Sequence, residues 1–344
     1  MPGEENHGQE VSRVTMAHGA GGGMSRDLIQ SVILKHFGHP ILARLEDSAL
    51  FETNGQRLAF TTDSYVVQPL FFPGGDIGKL AVAGTVNDLL CVGARPLYLS
   101  LALIIEEGFS LQDLERILTS ASQESVGAGV EVLCGDTKVV ERGKGDGLFV
   151  NTTGVGVVPS NVELSPQKIQ VGDQILVTGP IGDHGITVLS QREGFAFASQ
   201  LKSDCASLVT LVQSVLNPLF SVHCLRDPTR GGLGTVLAEI AADRQVGIQV
   251  EEDQIPVRDE VRGASELLGL DPLYVANEGK MVLFVAPQKA EKVLSILKKD
   301  PLGREAARIG QVVEEHPRLA VLRTKIGGSR VIDLPAGELL PRIC

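Results

Sequence analysis

The chain has 344 residues, 43% hydrophobic and 21% charged, enough for two domains with full-sized cores. Its formal charge of -11 argues against a nucleic-acid partner, which would need a basic face for the phosphates. No apolar run approaches the roughly eighteen residues of a membrane span, and residues 1–10 are polar and acidic, without the apolar region of a secretory leader.

Five cysteines (Cys91, Cys134, Cys205, Cys224 and Cys344) occur without any Cys-x-x-Cys pair. This pattern fits neither a disulfide framework nor a structural zinc site, and it predicts a reducing, cytoplasmic setting.

The chain opens on a glycine-rich segment, His18-Gly19-Ala20-Gly21-Gly22-Gly23, which cannot be the interior of a regular element. A helix is expected from Ser25, its N-cap, with Leu28, Ile29, Val32 and Ile33 on one face. Strands follow at 41–51 and 57–62, joined by a hairpin turn at Thr53-Asn54-Gly55. Helices are expected at 76–92 and 110–126, with strands at 96–105, 130–134 and 148–158. A polar stretch at 159–170, carrying Pro159 and Pro166, reads as a domain boundary.

Beyond it the pattern predicts strands at 174–178, 222–225, 246–250 and 281–285. Helices fall after Gly182 and at 234–243, 258–268 and 291–299. Residues 325–344 read as a flexible arm with one short β-like piece at 330–333. The expected division is an N-terminal segment (1–40), an N-terminal domain (41–160), a C-terminal α/β domain (161–324) and the tail (325–344). Alternation is less regular than in a doubly wound sheet, and the opening hairpin is antiparallel. An α+β fold with mixed sheets is therefore expected.

Neither common phosphate loop is present. Gly74-Gly75-Asp76-Ile77-Gly78-Lys79-Leu80 is one residue short of a Walker A loop and lacks its hydroxyl, and Met24 stands where a dinucleotide loop needs its third glycine. Instead, aspartates stand at the ends of apolar runs: Asp47, Asp63, Asp88, Asp136 and Asp227, in contexts of Gly, Thr or Asn. A lone aspartate in such a place is usually a turn or cap residue; five in similar contexts suggest hard oxygen ligands for Mg²⁺. Converging carboxylates would repel a triphosphate unless cations lay between them, so the pattern points to metal-bridged ATP.

The last residue, Cys344, follows Pro341-Arg342-Ile343. A prenylation signal would place the cysteine four residues from the end, so this tail is not one.

Together these segments resemble a known family. His18-Gly-Ala-Gly-Gly-Gly, Glu46-Asp-Ser-Ala, Thr61-Thr-Asp-Ser-Tyr, Val86-Asn-Asp-Leu-Leu-Cys-Val-Gly-Ala, Gly135-Asp-Thr-Lys, Arg226-Asp-Pro-Thr-Arg-Gly-Gly and Asn277-Glu-Gly-Lys occur in order. With the terminal Pro341-Arg-Ile-Cys344 they resemble the HypE hydrogenase maturation factors, within the superfamily of aminoimidazole ribonucleotide (AIR) synthetase (PurM), selenophosphate synthetase and thiamine monophosphate kinase.

The resemblance covers essentially the whole chain and implies a two-domain PurM-like fold. It implies a carbamoyl group placed on Cys344 by the carbamoyltransferase HypF and dehydrated with ATP and Mg²⁺ to a thiocyanate. The cyano group would pass to iron on a HypC–HypD scaffold and become a cyanide ligand of [NiFe]-hydrogenase. By the same resemblance Asp47, Asp63, Asp88, Asp136 and Asp227 are the Mg-ATP carboxylates, and the protein is a homodimer.

Lys138 and Glu278 match residues implicated in the dehydration, Glu278 as base and Lys138 as partner of the carbamoyl oxygen. His18 is a further catalytic candidate, and Gly21 and Gly22 would meet phosphate oxygens through their N–H groups. The alternatives are a selenophosphate synthetase-like kinase or ligase, or a non-catalytic nucleotide-binding scaffold. Relatives of the first kind carry a reactive cysteine near the N-terminus, whereas the first cysteine here is Cys91, inside an expected helix.

Overall fold

In the computed structural model, which describes residues 13–194, 200–335, 340 and 342–344, two mixed sheets share one buried helix. The acidic opening before Val11 lies outside the described residues. The glycine-rich segment contains a 3-10 turn (Met16–Gly19) and leads into α1 (Gly23–Leu28), a π-turn (Ile29–Ile33) and α2 (Leu34–His36). Ser25 is not the N-cap but lies inside α1. Gly22 takes the cap position, and Ser25 Oγ accepts the Gly21 N–H at 2.9 Å.

β1 (Ala49–Thr53) and β2 (Gln56–Tyr65) form the expected hairpin, with Asn54 and Gly55 both at positive φ as a two-residue loop requires. Residues 41–48 are not a strand: 42–44 form a 3-10 turn and Leu45 is left-handed, so pairing begins only at Ala49. Then come β3 (Phe71–Phe72), β4 (Gly75–Asp76), α3 (Ile77–Cys91), β5 (Arg95–Glu106), α4 (Leu111–Ala128), β6 (Glu131–Val140) and β7 (Leu148–Val158). Asp76 caps α3 by accepting from Gly78 and Lys79, and Ser110 caps α4 by accepting from Asp113.

The sheet order is β1-β2-β7-β5-β6, antiparallel except between β5 and β6. α3 and α4 cover one face. The other face leaves Phe60, Tyr98 and Ile104 more than 40% exposed, and edge strand β6 is exposed along all but its last residue.

The second half contains β8 (Gln174–Val177), α5 (Asp183–Glu193), α6 (Val209–Gln213), β9 (Val222–Arg226), α7 (Gly232–Arg244) and β10 (Gly247–Glu251). It continues with α8 (Asp259–Leu268), β11 (Val282–Val285), α9 (Pro287–Leu297), β12 (Ala307–Val313), β13 (Ala320–Arg323) and β14 (Ser329–Ile332). Their sheet runs β14-β13-β10-β12-β8-β11-β9, with β10 and β13 the parallel pair.

β12 and β13 were not expected. A register shift at Gly310 breaks the alternation of the first, and the second is only four residues long. Residues 325–332, read as the root of an arm, turn at Gly327 and pair as the sheet edge. The α+β class with mixed sheets is what the chain forms.

α3 joins the halves. It is apolar nearly all round and buries thirteen of its fifteen residues, as expected of a helix with neighbours on every side. It packs on β2, β5 and β7 of its own half and on β9 and α6 of the other. Val86, Leu89 and Leu90 thereby share one apolar cluster with Leu211, Leu225 and Leu283.

Asn87 fastens this joint: its amide donates to the Ala206 and Glu278 carbonyls at 3.1 and 3.3 Å, and its Oδ1 accepts the Leu208 N–H at 2.9 Å. Asn87→Ala leaves three buried backbone groups without partners and is predicted to lower stability by roughly 3 kcal/mol. An unchanged midpoint in chemical denaturation would show that the halves do not depend on this side chain.

Candidate active site

Four of the five singled-out aspartates meet where α3 faces the second half. Asp47 precedes β1, Asp63 lies near the end of β2 on its core side, Asp88 is on α3, and Asp227 follows β9. Only Asp47 and Asp227 stand at the ends of runs. Asp88 Oδ2 accepts from Thr61 Oγ1 at 2.8 Å, and Asp63 Oδ2 accepts from Tyr65 Oη at 3.2 Å. A Cβ on Gly84 would collide with that phenol oxygen, so glycine is needed there. Asp47 pairs with Arg226 Nε at 2.8 Å, and Arg226 also faces Glu239 at 3.5 Å.

The charges are costly in this position. Burial first, then the charges of Asp63, Asp227 and Asp47, push the Asp88 carboxyl well above the usual carboxylate range. Burial also raises Asp47 and Asp227, with Arg226 opposing in both cases. One oxygen each of Asp47 and Asp227 and the Cys91 sulfur lie within 4.8 Å of one another. Cys91 Sγ is 3.5 Å from Asp227 Oδ1, and burial raises its thiol. Mutually repelling, desolvated carboxylates suit a hard divalent cation, which removes the repulsion and keeps oxygen ligands.

Glu278 completes the group. It is 3% exposed, its N–H donates to Asp204 Oδ1 at 3.1 Å, and its Oε1 has no hydrogen-bond partner among the described residues. Burial, followed by Asp227, Asp204 and Asp63, raises its carboxyl well above the ordinary value, with Arg230 opposing. Asp204 in turn faces the buried Lys280 ammonium at 3.1 Å. The neighbouring Asn277 holds the loop: its Oδ1 accepts the Gly182 N–H, and its amide donates to the Pro228 and Val275 carbonyls.

Cys344 lies against this carboxylate group. The Val66 and Gln68 N–H groups donate to the Cys344 and Arg342 main-chain oxygens, both at 3.2 Å, as in an added strand. Arg192 bridges the Gln68 and Arg342 carbonyls, and Arg342 pairs with Asp146. Ile343 is 3% exposed in an apolar seat with Val67, Phe72 and Val188. Arg230 Nη1 is 3.9 Å from the Cys344 sulfur. One side of Cys344 stays open to a cavity of about 390 Å³. Burial nonetheless pushes its thiol up to about 12, Arg230 opposing and Glu278 and Asp63 adding to it.

His18 lines that cavity and also a neighbouring one of about 760 Å³, which carries Arg26, Arg44, Arg226, Arg230 and Glu46. Gly21 and Gly22 are packed rather than open. A Cβ on the first would press on Arg230, and one on the second would overlap the Pro335 carbonyl. The Gly21 N–H is spent on Ser25 Oγ and the Gly23 N–H on Pro335.

Asp136 and Lys138 stand apart from the group within this chain. They pair with each other at 2.6 Å on exposed β6, with side chains about two-thirds exposed. Strand register explains their position. Asp63 shares a row with Thr152, Leu101 and Gly135, so the next residue, Asp136, points out of the opposite face. Sequence reasoning also missed Arg230, Arg226 and His184. The first two lie inside the quoted Arg226-Asp-Pro-Thr-Arg-Gly-Gly motif but were given no role, whereas His184 carries no motif signal at all.

Family models for AIR synthase related proteins match residues 45–158 (N-terminal domain) and 170–321 (C-terminal domain). The chain is 51% identical to carbamoyl dehydratase HypE of Azotobacter vinelandii over 96% of its length and 97% of the relative's. It is 47% identical to the Escherichia coli K12 carbamoyl dehydratase HypE, over 97% of its length and all of the relative's. Among solved structures, a HypE–HypF complex superposes with TM-score 0.84 at 44% identity, covering 90% of this chain and 99% of the other. The hydrogenase maturation protein HypE in complex with ATP gives 0.81 at 46%, covering 96% and 100%. A thiamine monophosphate kinase from Aquifex aeolicus, at 16% identity and TM-score 0.66, shares the fold.

The docked thiol is predicted to resist alkylation. Since its proton is held to about 12, raising the pH from 7 to 9 should ionise it far less than a free C-terminal peptide. Iodoacetamide labelling followed by mass spectrometry checks this; equal rates for protein and peptide would contradict it.

Proposed function

The chain belongs to the HypE family of carbamoyl dehydratases, and we propose on that premise that Cys344 carries an S-carbamoyl group that this cleft dehydrates to a thiocyanate. The protein is an ATP-dependent enzyme of hydrogenase maturation. The observation that carries the residue assignment is the docked tail, which sets the Cys344 sulfur beside Arg230 and within the field of Glu278 and Asp63.

The reaction balances as follows. The carbamoyl oxygen attacks the γ-phosphorus of ATP, ADP leaves, and the amide nitrogen loses one proton. Loss of its second proton then expels phosphate and leaves S–C≡N.

Glu278 is the base for an amide proton. The like-charge part of its raised proton affinity comes from Asp227, Asp204 and Asp63, and cations in the cleft would relieve it. The part due to burial remains and makes the ionised carboxylate a strong acceptor. Arg230, with Nη1 3.9 Å from the Cys344 sulfur, would face the thiocarbamate and steady charge developing on its carbamoyl oxygen. Mg²⁺ on Asp47, Asp63, Asp88 and Asp227 would supply charge neutralisation for the triphosphate. The arginine-bearing cavity beside them, bordered by His18, Gly21 and Gly22, is where the nucleotide fits. Cys91, buried and with its thiol proton held, is not placed to be the exposed nucleophile that the kinase or ligase alternative requires.

A HypE–HypF complex among the structural relatives supports HypF as the partner that loads Cys344. HypC–HypD would receive the cyano group. A homodimer through the first half accounts for the exposed apolar sheet face and the unpaired edge of β6. In that arrangement Asp136 and Lys138 act in the second copy's cleft. The five unpaired cysteines suit the cytoplasm, and no described helix is long and apolar enough to cross a membrane.

Glu278→Gln is predicted to bind ATP normally and to keep the carbamoyl group on Cys344. Intact-mass measurement showing ordinary loss of water would remove Glu278 as the base. Mixing Lys138→Ala with Glu278→Gln chains should restore turnover that neither has alone, because one cleft of the mixed dimer is then complete. No recovery after subunit exchange would confine Lys138 to a role within its own chain.

A further inference from the structure

Sulfur placement in this cleft depends on main-chain register. A shift of one residue along an added strand turns every side chain to the other face, so something must fix the tail before its thiol can meet Glu278. His184, in the first turn of α5, is fully buried and touches the tail at one point. Its Nε2 lies 2.9 Å from the Ile343 carbonyl oxygen and its Nδ1 lies 2.8 Å from Ser203 Oγ. A carbonyl only accepts, so Nε2 carries the proton and Nδ1 accepts from the Ser203 hydroxyl. Ser203 Oγ is free to do this because its other contact is with a donor, the Cys205 N–H at 3.0 Å. The Phe72 ring packs edge-on against the imidazole, centroids 5.5 Å apart, and fixes its plane.

The same turn of helix is tied to the catalytic loop. The Gly182 N–H reaches Asn277 Oδ1 at 2.8 Å, and the Gly185 N–H reaches the Ala276 carbonyl at 3.1 Å. Gly185 itself is bare, so Val275 and Leu340 can close over it. Glu278 and His184 are therefore two points on one rigid frame. The hydrogen bond from His184 measures the tail against that frame, one residue away from the reacting sulfur.

We propose that His184, set in its Nε2–H tautomer by Ser203, is the positioning residue that fixes the register of the carrier thiol against Glu278. The inference deepens the reading of Cys344 as carrier and rests on it for its catalytic meaning. The docking itself can be measured without any carbamoyl chemistry.

The test compares His184→Gln, His184→Asn, His184→Leu and Ser203→Ala in the full chain. Glutamine places an amide N–H where Nε2 lies, asparagine falls short of Ile343, and leucine cannot donate. Iodoacetamide labelling of Cys344 should speed up roughly tenfold in the Asn and Leu variants, the equivalent of one lost hydrogen bond, and stay near wild type in the Gln variant. Ser203→Ala should fall between. The buried thiols of Cys91, Cys205 and Cys224 report the fold and should remain unlabelled throughout.

Equal Cys344 rates in the Asn and Gln variants would overturn the proposal, as would labelling of Cys91, Cys205 and Cys224 along with Cys344; the exposed Cys134 labels in every variant. In protein already carbamoylated on Cys344, His184→Asn should slow dehydration while ATP affinity stays unchanged. Dehydration at the unsubstituted rate in that variant would overturn the positioning role in catalysis, whereas no dehydration even in the unsubstituted chain, with the labelling as expected, would strike the carrier reading and leave the docking role standing.

Discussion

Five carboxylates share a desolvated joint between two sheets, and most of the architecture serves to hold them there. Asp47, Asp63, Asp88, Asp227 and Glu278 come from loop, strand, helix, loop and loop, and no pair is adjacent in sequence. Burial first, and like charges after it, hold protons on Asp88 and Glu278 above the ordinary carboxylate range. The folded state thus binds protons more tightly here than an unfolded chain. These groups therefore favour folding at low pH and oppose it as pH rises through the ordinary carboxylate range. A protein retains such an arrangement when a bound cation or a chemical step makes use of it. The apolar faces of α3 and the bonds of Asn87 offset the repulsion.

The tail is built into the same joint. Its last residues add to the strand end at Val66–Gln68, bury Ile343 and set the sulfur at the rim of the carboxylates. Docking shelters the thiol in its protonated form, which makes it a poor nucleophile where it rests. The carrier role proposed for Cys344 would have it loaded elsewhere, and its seat would then hold the arm by contacts weak enough to release. A few backbone hydrogen bonds, one apolar side chain and the half-buried pair of Arg342 with Asp146 meet that need.

Much of this was legible in the sequence, because aspartates in small-residue contexts mark places where the backbone turns toward a ligand. Four of the five named aspartates, Glu278 and Cys344 do converge. Asp136 looked equivalent in its Gly-Asp-Thr-Lys context, yet strand parity sends it to the opposite face, and parity follows only from the pairing of β5 with β6. Arg230 was hidden because its role depends on Gly21 pressing behind it and on the tail arriving in front. His184 was hidden because a lone histidine among glycines has no pattern, and its partners lie 19 and 159 residues away in sequence. β14 was read as a short β-like piece on a flexible arm because residues 325–344 are rich in glycine and proline, whereas here Gly327 lies in a turn that pairs β14 with β13.

The central claim is that ATP removes the carbamoyl oxygen from Cys344 as phosphate, and isotope transfer tests it most directly. Protein carbamoylated with oxygen-18 on Cys344 would be given ATP for a single turnover, and the phosphate and C-terminal peptide would be weighed. The account predicts that the label appears in inorganic phosphate and that the peptide becomes lighter by one water. Unlabelled phosphate, or ADP formation with the carbamoyl group still in place, would contradict it.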